Sequence, residues 1–138
     1  MKRHWAWGLA AAALLTAISG CTYFPGAGTE PVPQVSPTFR FEDVPVPPTM
    51  ELDTRQSFVY ESNVIRAGVL IYRGNEKYEE LLRFFRENLK QYNWRQVSSF
   101  EHEGALLNYE KPGWSLSIEV RRELGSNLLV IRYGPKQT

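Results

Sequence analysis

The sequence predicts an α+β fold. An antiparallel sheet of about five to six strands carries one long helix on one face, in the order ββαββββ, after a proline-rich linker. Three observations predict it. Apolar side chains recur at helical spacing from Tyr78 to Tyr92. Residues 114–121 alternate apolar and polar without a break. Seven of the nine prolines fall between residues 22 and 48, leaving only Pro112 and Pro135 downstream. Proline fixes φ and removes a donor, so the ordered elements must lie after that stretch.

The first two strands are read from "SFVYES" (57–62) and "VIRAGVLIYRG" (64–74), runs rich in β-branched and aromatic residues. Asn75 is the expected helix N-cap, with Glu76 favourably placed at the positive end of the dipole. Tyr78, Leu81, Leu82, Phe85, Leu89 and Tyr92 then define one apolar face of a helix of about 17 residues. The opposite face carries Glu79, Arg83, Glu87 and Lys90, with Glu79–Arg83 and Arg83–Glu87 at ion-pair spacing. Lys90 suits the negative end of the dipole, and Asn93 is the expected left-handed stop.

Four more strands follow. "WRQVSSF" (94–100) turns at residues 102–104 into "ALLNYE" (105–110). Pro112–Gly113 have the order a type II turn requires. In "WSLSIEV" (114–120), Trp114, Leu116, Ile118 and Val120 share one face. "GSN" (125–127) turns into "LLVIRY" (128–133). One helix covers only part of a sheet this wide. The other face should be wet, and Ser115, Ser117, Glu119 and Arg121 form the candidate interaction face.

The domain organisation follows: 1–20 a signal peptide, 21–48 a modified N-terminus and linker, 49–138 one globular domain. The linker should be extended where polyproline II forms. Its end, "FRFEDVPVP", has closely spaced apolar residues and is expected to lie along the domain edge.

Lys2 and Arg3 precede an uncharged apolar run from Trp5 to Ile18. That run is too short to span a bilayer, which needs about 20 residues. A basic start, a short apolar stretch and then small residues make the layout of a secretory signal. Cys21, the only cysteine, stands directly behind Ser19 and Gly20. Ile18-Ser19-Gly20-Cys21 resembles the lipobox of bacterial lipoproteins, with Ile18 where leucine is commonest. The resemblance implies a diacylglycerol on the Cys21 sulfur, cleavage before it and further acylation, such as palmitate, of the new terminus. Two or more acyl chains make anchoring stable where one is marginal. An aspartate after the cysteine often retains such proteins at the inner membrane. Thr22 in that place leans toward the outer membrane, with the domain facing the periplasm. Element order also resembles the small helix-on-sheet domains, helix-grip modules included, of outer-membrane assembly lipoproteins. "DVPVP", "AGVLIYRG" and "YNW" are similar to segments of uncharacterised small envelope lipoproteins.

Charge and motifs exclude more than they assign. Without Lys2 and Arg3 the 16 basic residues fall to 14 against 15 acidic ones, a net charge of −1. Nucleic acid needs a basic footprint and is not an expected partner. His102 lies between Glu101 and Glu103, but alternation along a strand points the three apart, so no metal is expected. Glu76, Glu79 and Glu80 read as a solvated helix face rather than an acid/base pair, and Arg121-Arg122 as offset by Glu119 and Glu123. No nucleophile elbow, P-loop or dinucleotide fingerprint occurs, so neither an enzyme nor a cofactor is expected. Two functions remain open. One is a lipid-anchored, non-enzymatic module that binds another envelope protein. The other is a binder or sensor of a small apolar ligand or lipid in a helix–sheet groove, suggested by the number of aromatic residues.

Overall fold

In the computed structural model, residues 40–137 are described. The expectations for residues 1–20, Cys21, Thr22 and the linker as far as residue 39 lie outside the described residues. Alternation in the second half of the chain produces long ladders: β4 (Arg95–Glu101), β5 (Gly104–Lys111), β6 (Trp114–Glu123) and β7 (Ser126–Pro135). They form a meander, and β7 returns to pair with β3 (Arg66–Gly74). The turns follow the residues that make them. Gly113 and Gly125 both have φ of 79°, a conformation that costs glycine nothing.

At the other edge of β3 lie two short strands, β1 (Met50–Leu52) and β2 (Phe58–Glu61), both antiparallel to it. Together they are one edge strand interrupted by residues 53–57. The hydroxyl of Ser57 closes the gap: it donates to the Asp53 carbonyl at 2.7 Å and accepts from the Ile71 amide at 2.9 Å. β2 approaches β3 closely. A Cβ on Gly68 would lie 2.2 Å from the Phe58 carbonyl oxygen, so this pairing needs glycine there. The seven strands form one sheet in the order (β1, β2)-β3-β7-β6-β5-β4. This is the expected α+β architecture, with β1 as an additional strand.

The helix α1 (Tyr78–Asn88) and a 3-10 turn (Leu89–Tyr92) carry the chain from β3 to β4 at the far edge. Leu81, Leu82, Phe85 and Leu89 are buried on Leu107, Tyr109, Leu116, Ile118, Leu129 and Ile131 of the sheet. Several helix details differ from expectation. The N-cap is Lys77, which makes no side-chain capping bond, and Asn75 lies outside the helix. The Glu76 carbonyl instead accepts from Asn127 Nδ2 at 2.6 Å, and its carboxylate accepts from Thr49 at 2.8 Å. These crosslinks hold Glu76 out of the first turn. Tyr92 is exposed rather than on the buried face. The last turn tightens to three residues per turn, which rotates it off the stripe. Asn93 does end the helix in the left-handed region, at φ 63° and ψ 21°. Arg83 pairs with Glu80 at 2.7 Å, and Glu79 meets Arg122 at 3.3 Å, so the expected Glu79–Arg83 pair does not form.

Beyond the helix C-terminus a second element covers the sheet. Phe41 and Val44 are each only 3% exposed, and Pro47 is buried as well. Residues 41–48 thus enter the core rather than only skirting its edge. Phe41 stacks on Tyr133 with centroids 4.3 Å apart and planes 13° apart. Trp94 Nε1 donates to the Asp43 carbonyl at 3.0 Å, and Lys111 pairs with the Asp43 carboxylate. A strap of irregular backbone therefore completes the cover that one helix leaves unfinished.

Candidate functional site

The face of the sheet away from α1 holds the residues singled out in the sequence. Alternation along β6 places Ser115, Ser117, Glu119 and Arg121 there. Register then assigns their neighbours. One row across the sheet reads Phe100, Leu106, Glu119, Val130 and Ile71. The next reads Ser98, Asn108, Ser117, Arg132, Val69 and Phe58.

Electrostatics organise the centre of this face. Glu119 accepts from Arg121 Nε at 2.5 Å and from Arg132 at 2.8 Å. Its carboxyl is held below the ordinary glutamate value, first by the Arg121 hydrogen bond and further by Arg132, against the opposing effect of burial. Such a pair of guanidinium groups fixes the carboxylate's rotamer, so the network is an ordered polar feature of the sheet. Arg122, one residue on, points to the other side. Its guanidinium lies 3.9 Å from the Tyr78 ring centre and contacts Glu79. The expected mutual neutralisation of residues 119–123 therefore divides between the two faces, with Glu123 reaching Arg73 at 3.8 Å.

The open face is less polar than β6 suggests. Val130 and Leu128 point to it yet are only 4% and 7% exposed. Toward the β4 edge the apolar character reaches solvent: Phe100 is 69% exposed and Val97 41%. Phe100, Leu106, Ser117, Glu119, Arg121 and Arg132 border a shallow depression of about 490 Å³. Sequence reasoning did not find Phe100, Val97 or Arg132. "WRQVSSF" has no alternation to read, because β4 is an edge strand exposed along its whole length. A β-bulge between Gln96 and Ser98 shifts its register and disturbs the pattern further.

Other candidates separate in space. His102 sits exposed in the β4–β5 turn, where its amide donates to the Gly104 carbonyl at 2.9 Å. Glu101 turns to Arg86 on the helix. Among the described residues, no three His, Cys, Asp or Glu side chains are grouped to hold a metal ion. Tyr72, Trp94 and Tyr109 are core residues. The helix–sheet interface is filled by Leu81, Phe85, Leu89, Leu107, Leu116 and Ile118, all at most 2% exposed. No described helix is long and apolar enough to cross a membrane. Comparison with protein-family models, with curated proteins and with solved structures finds no match in any of the three.

Proposed function

We propose that this chain is a lipid-anchored protein of the bacterial envelope whose domain binds another envelope protein through the open sheet face. Anchoring rests on the sequence: a basic start, a short apolar run and Cys21 behind Ser19-Gly20. In this reading diacylglycerol is carried on Cys21, and Thr22 favours the outer membrane, with the domain facing the periplasm. No chemical step is assigned to the domain.

The observation that carries the interaction reading is Phe100. It is a large aromatic side chain left mostly in water, at the rim of a face whose centre is an ordered Glu119–Arg121–Arg132 network. Interfaces favour aromatic and arginine residues in this way, with an apolar anchor beside fixed polar groups. Ser117 is a small side chain bordering the same depression, which leaves room there for a partner's side chain.

Capture from envelope membranes with the tagged full-length protein tests the reading. Phe100→Ser and the charge reversals Glu119→Lys and Arg121→Glu should each weaken capture while leaving the circular dichroism spectrum intact. Unchanged capture by all three, together with loss on reversing Arg83 and Glu87, would move the site to the helix. Cys21→Ser should abolish labelling by a palmitate analogue and leave an uncleaved precursor. Thr22→Asp should shift the protein toward inner-membrane fractions. Equal labelling of Cys21→Ser would end the anchoring reading without touching the interaction reading.

A further inference from the structure

At the end of the sheet beyond the helix, on its covered face, four aromatic rings meet. Tyr133 is the hub: Phe41 stacks on it, Trp94 meets it edge-on at 5.8 Å, and Trp114 lies tilted at 5.0 Å. Lys111 caps the group, with its ammonium 4.6 Å from the Trp94 ring centre and paired to Asp43. Three of these rings and the lysine belong to the sheet and the helix end. Phe41 and Asp43 are contributed by the strap.

The strap is joined to this cleft in an unusual way. Among the described residues, the backbone–backbone hydrogen bonds of 41–48 stay local: the Val44 amide donates to the Phe41 carbonyl, and the Met50 amide to the Pro47 carbonyl. No ladder bond ties it to a strand. Pro45, Pro47 and Pro48 have no amide to offer one. The strap is held by side chains instead: Phe41 stacks on Tyr133 with the Arg66 guanidinium 5.9 Å from its ring centre, Asp43 meets Lys111 and Tyr133, the Asp43 carbonyl accepts from the Trp94 indole, and Phe41, Val44 and Pro47 are buried. Those are the contacts of a bound peptide. Segments with few backbone hydrogen bonds to the body open more readily than the ladders beneath them.

We propose that the cleft formed by Trp94, Lys111, Trp114 and Tyr133 is a peptide-binding site, occupied in the resting protein by the chain's own residues 41–46. The strap displays the chemistry the site selects. An aromatic ring lies on Tyr133, an acidic side chain two residues later meets Lys111, and the carbonyl of that acidic residue faces the Trp94 indole. The partner is an extended protein segment with the same aromatic-x-acidic pattern. This site is on the opposite side of the sheet from Phe100 and is independent of the open-face reading.

The test uses the full-length chain in detergent and a fluorescent peptide of residues 40–46, RFEDVPV. The double variant Phe41→Ser, Asp43→Ser should bind the peptide about tenfold or more tightly than the wild type, because a competing occupant lowers apparent affinity by the fraction of time the site is free. Replacing the phenylalanine of the peptide by serine should abolish binding. A folded double variant that binds no better than wild type would overturn the proposal. The wild-type protein supplies a second arm that needs no variant. The Trp94 indole N–H should exchange with solvent at least about tenfold faster than the amides of β6 and β7. Exchange at the same rate would mean that the strap leaves only when the domain unfolds, which also overturns the proposal. Variants of Phe100 or Glu119 should leave peptide binding unchanged.

Discussion

The two faces of the sheet are made from the same strands and behave differently. On the covered face Leu116, Ile118, Val120, Leu129 and Ile131 are sealed beneath the helix and the strap, an apolar centre with Arg122 and Lys111 toward its ends. On the open face Ser117, Glu119, Arg121 and Arg132 share space with Val130, Leu128 and Phe100. The covered face is a requirement of stability, since each buried aliphatic side chain contributes about 1.5–3 kcal/mol. The open face is under no such demand at its β4 edge, yet it keeps a large aromatic residue in water there. Position within the sheet accounts for the remainder. β7 is flanked by β3 and β6, so its open-face side chains are shielded by neighbours, whereas β4 has a neighbour on one side only.

The strongest way to break this comparison is on the covered face. Ile118→Ala should cost about 2–5 kcal/mol, read from the shift of a urea midpoint. A loss below about 1 kcal/mol would mean that the interface is loosely packed. Tyrosine titration gives a second measure of the same face. Burial pushes the Tyr109 and Tyr133 phenols up to about 12 from the ordinary tyrosine value of 10.0, with Asp43 adding to the effect at Tyr133. A raised folded value means that the protonated phenol belongs to the folded state. The stability tied to it is fully present below pH 10.0 and is lost as pH rises through about 12. Ultraviolet difference spectra should show these two rings ionising only with alkaline unfolding.

Within the open face, Val130→Ala should cost about 2 kcal/mol, near the full-burial value for valine, although Val130 shares that face with Ser117. Ser117→Ala should stay within about ±0.5 kcal/mol. Similar losses at both positions would erase the difference between β7 and its polar neighbours. The smallest effect concerns Glu119. Its lowered folded-state value means that its ion pairs stabilise the protein above the ordinary glutamate range and cease to as pH falls through the lowered value. Glu119→Gln should flatten that acid limb by at most about 1 kcal/mol, the usual scale of pairs near the surface.

Local pattern decided much of this molecule. The helical spacing of Leu81, Leu82, Phe85 and Leu89, the alternation of β6, the Pro112–Gly113 turn and the left-handed stop at Asn93 are all short-range. Each depends on residues a few positions apart, and each is legible in a single chain. The Ser115, Ser117, Glu119 and Arg121 face was legible for the same reason. Tertiary structure decided the rest. β1 is three residues long and exists because β3 offers it an edge. Phe41 and Val44 are core residues because the helix leaves part of the sheet uncovered, a matter of width that no window of sequence contains. Arg132 joins Glu119, and Phe100 lies beside Leu106, only through strand register, which is set by pairing across the sheet. The helix start moved to Lys77 because Thr49 and Asn127, remote in sequence, claimed Glu76. Long-range contacts choose between local options of nearly equal energy, and those choices placed both surfaces of this domain.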